Sequence, residues 1–381
     1  MRIGIVTGEY PPMQGGVGAY SRILAQTFVE QGHQVFVFSS EGTQNHEVGV
    51  SRTNTVKRWG LSSLWAVKQW AKSQRLDVLN LQFQTAAFQM SPFIHFLPQV
   101  AHYVPVITTF HDLRYPYLSP KAGRQRDWIV MYLARTSAGV IVTNHEDLQC
   151  VAHLPFSTLI PIGSNILTPL PTDFDMGQWR VQAGASESDF LIAYFGFINR
   201  SKGVEKLLHS IAMLRAEGSP VKLVMVGGRT GSSDPTNTSF ADEIDALIVN
   251  LNLSGDVCWT GFVDEEAVSA YLKASDVVAL PFEDGASYRR GTLMAAIHHG
   301  CAIITTTPSV TIPTLIDGEN MLLVPPSDAT TLSGTIRKLI HAPDLLKKLR
   351  CGAKELDKQF DWSQIARDCA AFFERVIGDR S

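Results

Sequence analysis

The sequence lacks the long apolar runs of a membrane protein and the cysteine pattern of a secreted or zinc-binding protein. The first apolar stretch, residues 3–6, is too short for a signal peptide or a membrane span, and no later stretch is long enough. The five cysteines are odd in number and scattered, without a Cys-x-x-Cys pair, which favours a reducing compartment. We therefore expect a soluble, cytoplasmic protein.

The chain also lacks a strong excess of either charge. Its 33 basic and 36 acidic residues give a net charge of −3, which argues against a nucleic-acid-binding protein. The charge is unevenly distributed, because residues 1–160 carry a net +4 and the remaining residues carry −7. A basic first half before an acidic second half predicts two domains, of which the first faces something anionic.

Short apolar runs alternate with stretches of helical periodicity along the chain. Because the runs lack polar alternation and helices separate them, they predict parallel strands covered on both faces. Two successive sets of strands predict two doubly wound α/β domains, joined by the proline- and glycine-rich segment 161–171. The predicted strands cover residues 2–6, 34–38, 78–81, 106–109, 140–142 and 158–160, and then 191–195, 223–226, 277–280, 302–305 and 322–324.

Two loops of the first half follow predicted strands and carry residues suited to a ligand. Gly15 and Gly16 directly precede a helix, where backbone amides could approach an anion, although a plain glycine turn explains the same pattern. The dinucleotide fingerprint Gly-x-Gly-x-x-Gly is absent. His111 and Asp112 end another strand, where they suit a substrate, and a histidine with a hydrogen bond inside its loop is the alternative.

In the second half, cations precede a predicted helix in two loops. Arg200 and Lys202 stand before Gly203, and two adjacent arginines stand before Gly291. A helix N-terminus already carries partial positive charge, so added cations predict that something negative binds there. Solvated surface bases are the alternative interpretation.

Taken together, these loops resemble family 4 of the retaining glycosyltransferases, which have the GT-B fold of two Rossmann-like domains facing a cleft. The resemblance implies an acceptor-binding domain, residues 1–165 with a crossing C-terminal helix 360–381, and a donor-binding domain, residues 166–359. It covers essentially the whole chain and rests on six motifs in the family's order: PPMQGGVGAY, TTFHDL, IPIGSN, FGFINRSKGVEKLL, VCWTGFV and FDW with the last helix.

The resemblance implies a role for each loop, from contact with the transferred sugar to binding of the diphosphate and the nucleobase edge. The catalytic residues that it implies are His111, Arg200, Lys202 and Glu283. The donor-binding residues that it implies are Gly15, Gly16, Gly196, Arg200, Lys202, Gly227, Thr260, Phe262, Val263, Glu283, Asp284, Ser287, Arg289, Arg290, Gly291 and Thr292.

The sequence departs from the family's pattern in two places. Phe197 stands where the family usually has an arginine after the phosphate-loop glycine, and Arg200 follows three residues later. The family also usually has two glutamates separated by seven residues. Counted from Glu283, the second position is Gly291, and an alternative alignment pairs a serine with an alanine at 287 and 295. The second glutamate, which commonly holds the ribose in the family, is therefore missing.

The reaction implied is transfer of a hexose, glucose from UDP-glucose, with retention, to a glycan or lipid-linked acceptor in polysaccharide biosynthesis. Uridine and glucose rest on family frequency alone. We expect no cofactor and no metal, because the Asp-x-Asp pair at 173 and 175 adjoins the linker and His298 and His299 point to different faces of a helix. A nucleotide-sugar 2-epimerase and a non-catalytic nucleotide-sugar-binding protein are the alternatives.

The acceptor side rests on two further patterns. A predicted helix carries a basic stripe beside tryptophans, which suits peripheral contact with the inner, cytoplasmic membrane surface or burial of the tryptophans in the core. Two tyrosines after the His111 loop could line the acceptor cleft or pack that loop. The residues concerned are Lys68, Lys72, Arg75, Trp59, Trp65, Trp70, Tyr115 and Tyr117.

Overall fold

The structure is a computed structural model that describes residues 1–13, 15–42, 47–113, 123–229 and 237–379. Tyr115 and Tyr117 lie outside the described residues, so their predicted contact with an acceptor stays a prediction. The chain forms two compact units: Met1–Asn165 together with Phe360–Ser381, and Ile166–Gln359. Each unit contains a parallel sheet with helices.

The sheet of the first unit has seven strands in the order β3-β2-β1-β4-β5-β6-β7. Every neighbouring pair is parallel, and the chain starts at the centre and winds outward to both edges, which is the doubly wound pattern. The strands are β1 (Arg2–Thr7), β2 (Gln34–Ser40), β3 (Val50–Val56), β4 (Val78–Phe83), β5 (Val106–Phe110), β6 (Gly139–Val142) and β7 (Ser157–Leu159).

The sheet of the second unit has six parallel strands in the order β10-β9-β8-β11-β12-β13, so it repeats the same winding. The predicted pair of doubly wound α/β domains is confirmed. The strands are β8 (Phe190–Phe195), β9 (Val221–Val226), β10 (Val257–Gly261), β11 (Val277–Leu280), β12 (Ile303–Thr306) and β13 (Leu322–Val324).

Helices connect the strands, as parallel pairing requires. They are α1 (Gly16–Glu30), α2 (Leu61–Ser73), α3 (Leu97–Val100), α4 (Gly123–Thr136), α5 (His145–Val151), α6 (Met176–Gln182), α7 (Val204–Ala216), α8 (Asn237–Asn250), α9 (Glu265–Ala274), α10 (Gly291–His298), α11 (Ala329–Ile340), α12 (Pro343–Asp357) and α13 (Trp362–Gly378). Among the described residues, no helix has both the length and the apolar character needed to cross a membrane.

The last helix, α13, belongs to the first unit and packs against α1. The rings of Phe28 and Phe373 have centroids 5.9 Å apart, and the indole nitrogen of Trp362 donates a hydrogen bond of 2.7 Å to the carbonyl of Ser164. The apolar face of this helix is buried, with Ile365, Ala366, Cys369, Phe372, Phe373 and Val376 all in the core.

Strand β3 is absent from the strands that the sequence predicts. Its sequence, VSRTNTV, is apolar only at its ends, and only Val50 and Val56 are buried. The strand lies at the edge of the sheet and pairs with β2 alone. Because its central side chains remain partly in solvent, they need not be apolar, and a search for apolar runs cannot find them.

The three tryptophans beside the predicted basic stripe divide between core and surface. Trp59 and Trp70 are 3% and 7% exposed in the core of the first unit, whereas Trp65 is 55% exposed. The ammonium of Lys68 lies 4.7 Å from the centre of the Trp65 ring. Since α2 ends at Ser73, Arg75 lies beyond the helix and does not extend the stripe.

Candidate active site

The carboxyl ends of β8, β9 and β10 are neighbours at one edge of the sheet in the second unit, and a glycine lies at each end. Gly196, Gly227 and Gly261 have φ values of 110°, 110° and 69°, which favour glycine. The Thr260 hydroxyl accepts a hydrogen bond of 3.1 Å from the amide of Gly227 and donates one of 2.8 Å to the carbonyl of Gly261. The glycines leave room for a ligand to approach the backbone at this edge.

Lys202 lies at this glycine edge. A Cβ added to Gly196 would lie 3.3 Å from the Lys202 Nζ and 2.7 Å from the Thr292 side chain, so the lysine and the start of α10 both adjoin Gly196. The Lys202 ammonium donates a hydrogen bond of 2.6 Å to the carbonyl of Phe197. Burial lowers the pKa of Lys202 to about 8, and the nearby guanidinium of Arg290 lowers that pKa as well. An anion bound here would raise the pKa of Lys202 again, because a nearby negative charge stabilises the protonated ammonium.

Both adjacent arginines bind the carboxylate of Asp284. Arg289 Nη2 lies 3.1 Å from one oxygen, and Arg290 Nη2 binds the other. Both arginine side chains are largely buried, and the Arg290 guanidinium stacks 4.8 Å from the centre of the Phe282 ring. The Asp284 carboxylate thus binds two guanidinium groups, and Lys202 adds a third cationic group close to Arg290.

Helix α10 begins at Gly291, directly after these arginines. No side chain caps its N-terminus, and the first backbone amides of a helix have no partner within the helix. The amide of Arg290 donates a hydrogen bond of 3.0 Å to the carbonyl of Ser287, which is buried. This hydrogen bond closes the turn that carries the two arginines. The amides at Gly291 and Thr292 therefore add partial positive charge beside Lys202 and Arg290.

Arg200 is not brought to this site. Its guanidinium binds the carboxylate of Glu243 on α8 at 2.6 and 2.9 Å, and it lies 4.9 Å from the centre of the Phe240 ring. The Arg200 side chain is 64% exposed. Its predicted contact with the donor diphosphate stays a prediction, and Arg290 is the guanidinium that lies beside Lys202.

Two other predicted loops lie at the same edge of the sheet. The Glu283 amide donates a hydrogen bond of 2.9 Å to the Ser201 carbonyl, which ties the loop after β11 to the turn that carries Lys202, and the Glu283 carboxylate binds the Ser327 hydroxyl. Phe262 and Val263 follow β10, and Phe262 is 68% exposed. Its ring is thus available for stacking. The contact of the backbone around Thr260, Phe262 and Val263 with a nucleobase edge, which the resemblance implies, stays a prediction.

In the first unit, His111 follows β5 and contacts the neighbouring strand. Its Nε2 lies 2.8 Å from the side-chain oxygen of Gln82 on β4, and the ring packs edge-on against Tyr20 with centroids 4.7 Å apart. Burial lowers the pKa of His111 to about 3, so the imidazole is neutral at physiological pH. Gln82 was not predicted as a site residue; its signal in the sequence is a polar residue inside an apolar strand.

Glu9 is a second residue of this unit that was not predicted as a site residue. A Cβ added to Gly15 would lie 1.7 Å from a Glu9 carboxylate oxygen, so any larger residue there would have to displace the Glu9 side chain, and the carboxylate accepts a hydrogen bond from the Val17 amide. Burial raises the pKa of Glu9 to about 7. The carboxylate therefore lies at the start of α1, beside the glycines predicted to contact phosphate. That contact stays a prediction, and it would require Glu9 to be protonated or to move.

Substituting Glu9 by glutamine should flatten the pH dependence of stability between pH 4.5 and 7. The folded protein holds this proton over that window and the unfolded chain does not, so the native protein loses stability as pH rises. The substituted side-chain amide carries no charge and can still accept from Val17, so we expect Glu9→Gln to gain about 1–3 kcal/mol at pH 8. Thermal unfolding at pH 5 and pH 8 measures this, with Glu30→Gln, at the exposed last residue of α1, as the control. Identical pH slopes in both variants would contradict the assignment.

Two family models cover most of the chain. Residues 15–152 match the model described as "Glycosyl transferase 4-like domain", and residues 175–356 match "Glycosyl transferases group 1". The chain is 22% identical to phosphatidyl-myo-inositol mannosyltransferase from Mycolicibacterium smegmatis. The alignment, 400 positions long with its gaps, covers 99% of this chain and 95% of that protein. It is 22% identical to alpha-monoglucosyldiacylglycerol synthase from Streptococcus pneumoniae, over 72% of this chain and 65% of that protein.

Solved structures share the fold over nearly the whole chain. Sucrose-phosphate synthase from Thermosynechococcus elongatus has a TM-score of 0.78 at 20% identity, with all of both chains covered. Anabaena HepE in complex with UDP-glucose has a TM-score of 0.75 at 18% identity, over 97% of this chain and 98% of that one. The two doubly wound units thus have the GT-B fold that these structures share. The two family models together cover most of the chain, and they show that it is a glycosyltransferase of the family 4 type.

Proposed function

We propose that the protein transfers glucose from UDP-glucose, with retention of configuration, to a glycan or lipid-linked acceptor in polysaccharide biosynthesis. The observation that carries the proposal is the convergence of Lys202, Arg290 and the N-terminus of α10 on the glycine edge at Gly196. This arrangement suits a nucleoside diphosphate. The HepE complex with UDP-glucose, on the same fold, supports uridine and glucose for this chain.

The proposed chemistry is stabilisation of the leaving diphosphate. Negative charge develops on the diphosphate as the glycosidic bond breaks, and cations and amides already fixed in position stabilise that charge without reorganising. Asp284 holds Arg289 and Arg290 in place before the donor arrives. We propose that these groups act without a metal ion and without a cofactor.

For the acceptor, we propose that the first unit makes peripheral contact with an anionic membrane surface. Leu61 and Trp65 on α2 are both more than half exposed, and Lys68 lies against the Trp65 ring. An exposed aromatic side chain next to a lysine suits the interface of an anionic bilayer. The names of both curated relatives given above refer to lipids, which supports a lipid-linked acceptor.

UDP-glucose should raise the unfolding temperature of the native protein, because a ligand at a hundredfold excess over its Kd stabilises by about 2.7 kcal/mol. ADP-glucose and GDP-mannose are the comparison ligands. Arg290→Ala should lose most of this stabilisation, since it removes the guanidinium beside Lys202. Arg337→Ala, which removes a surface ion pair with Glu217, is the matched control and should keep it.

The same samples distinguish a transferase from a 2-epimerase and from a non-catalytic binding protein. The protein is incubated with UDP-glucose in the absence of an acceptor, and the products are followed by chromatography. Slow release of glucose and UDP is the outcome expected for a transferase. Release of an epimerised sugar would indicate a 2-epimerase, and donor binding without any turnover would indicate a non-catalytic protein. Stabilisation by none of the nucleotide sugars would overturn the proposed donor site.

A further inference from the structure

A chain of side-chain amides links His111 to the backbone of β5 in the first unit. Asn80 and Gln82 stand two residues apart on β4, so they share one face of the strand, and both are fully buried. The Gln82 amide nitrogen donates to the Asn80 side-chain oxygen. The Asn80 nitrogen donates to the Ile107 carbonyl at 3.1 Å and reaches the Thr109 hydroxyl oxygen at 3.0 Å. Two buried amides in a core strand need these partners, since an unbonded buried amide is costly.

The backbone carbonyl fixes the direction of every hydrogen bond in this chain. The Ile107 carbonyl can only accept, so Asn80 presents its amino group to it and its oxygen to Gln82. Gln82 therefore uses its amino group on Asn80 and presents its oxygen to His111. Because that oxygen can only accept, the His111 Nε2 must carry the proton and Nδ1 must carry a lone pair.

The remaining surroundings keep the ring in this state. Burial alone lowers the pKa of His111, so the ring stays neutral, and it packs in a T-shaped arrangement with the ring of Tyr20. Within the part of the chain that the structure describes, no hydrogen bond reaches the His111 Nδ1. The ring thus offers a hydrogen-bond acceptor of fixed orientation.

We propose that Asn80 and Gln82 are positioning residues that hold His111 as the neutral Nε2–H tautomer, so that Nδ1 accepts a hydrogen bond from a hydroxyl of a sugar substrate. The contact with the sugar rests on the proposed function, whereas the tautomer does not. Without Gln82 the ring could take either tautomer. The Nδ1–H form would then turn a donor, instead of a lone pair, toward the hydroxyl.

The tautomer can be read directly from the full-length protein labelled with ¹⁵N-histidine. Long-range ¹H–¹⁵N correlation spectra distinguish a protonated from an unprotonated ring nitrogen, and the signals of His111 are assigned by their loss in His111→Phe. We expect a protonated Nε2 and an unprotonated Nδ1 in the native protein. A protonated Nδ1 there would overturn the proposal without any need for a folded variant.

Gln82→Met, which removes the acceptor at similar volume, should give a mixture of tautomers and lower kcat by about tenfold to a hundredfold. Gln99→Met is the control, because Gln99 is exposed on α3 in the same unit and should change neither signal nor rate. A Gln82→Met protein that keeps the single Nε2–H form and normal turnover would contradict a positioning role.

Adding ligand to the native protein tests the sugar contact separately. Saturating UDP-glucose should shift the His111 Nδ1 resonance, and UDP alone, which lacks the sugar, should not. If UDP-glucose binds without this shift, the sugar contact is wrong. If no nucleotide sugar binds while the Nε2–H tautomer is observed, the proposed function fails and the amide chain stands.

Discussion

Lys202→Ala should lower glucose transfer by about a hundredfold or more, on the scale of losing a charge-stabilising group from an active site. The Lys202 ammonium lies at the glycine edge of the second sheet, beside Thr292 and the guanidinium of Arg290. Its removal takes away fixed positive charge where the leaving diphosphate is proposed to lie. Steady-state rates with UDP-glucose and a soluble acceptor measure the effect.

Two further variants separate charge from packing at this position. Lys202→Met keeps much of the buried stem and should be nearly as slow as Lys202→Ala, because both lack the ammonium. Lys206→Ala removes a lysine four residues later on α7 and should retain normal rates. Near-normal transfer by Lys202→Met would show that the ammonium is not used in the reaction.

Gly203→Ala should destabilise the second unit by about 3 kcal/mol or more and abolish binding of the donor. Gly203 has a φ of 68°, where a side chain is strained by about 1–2 kcal/mol. An added Cβ would also lie 1.9 Å from the Pro281 carbonyl oxygen, and backbone on one side or the other must move. Because Gly203 adjoins Lys202, that movement displaces the ammonium as well. Urea unfolding and the thermal shift with UDP-glucose measure the two effects.

Gly218→Ala provides a control matched in backbone conformation. Gly218 has a φ of 82° with nothing within 4 Å of an added Cβ, so this substitution adds strain without a clash. We expect it to lose about 1–2 kcal/mol and to bind UDP-glucose normally. Equal losses of stability in the two variants would mean that the contact with the Pro281 carbonyl is easily relieved.

Much of the fold follows from the sequence because buried parallel strands must be apolar on both faces. The runs at 3–6, 191–195 and 277–280 therefore appear in the sequence as strands, and parallel topology places the loops after them at one edge of each sheet. Strand β3 could not be predicted from the sequence in this way, because an edge strand keeps partial contact with water and its side chains can be polar.

The candidate site could be located from the sequence more readily than its side chains could be oriented. Arg200 and Lys202 stand two residues apart in a 3-10 turn, where such side chains point in different directions, so one meets Glu243 and the other the glycine edge. Residue spacing alone therefore cannot show whether Arg200 or Lys202 lies at the glycine edge. The same holds for Asn80 and Gln82. The role of an isolated polar residue in an apolar strand depends on its hydrogen-bond partners, and these are brought to it only by folding.

The membership of α13 in the first unit has a consequence for the order in which the protein can mature on the ribosome. Translation delivers residues 362–378 only after the entire second unit has been synthesised, yet Trp362 and Phe373 are part of the first unit's interior. Until then the nascent first unit exposes the apolar side of α1 around Phe28, a surface that chaperones recognise. The unit that is made first is therefore the one that is completed last.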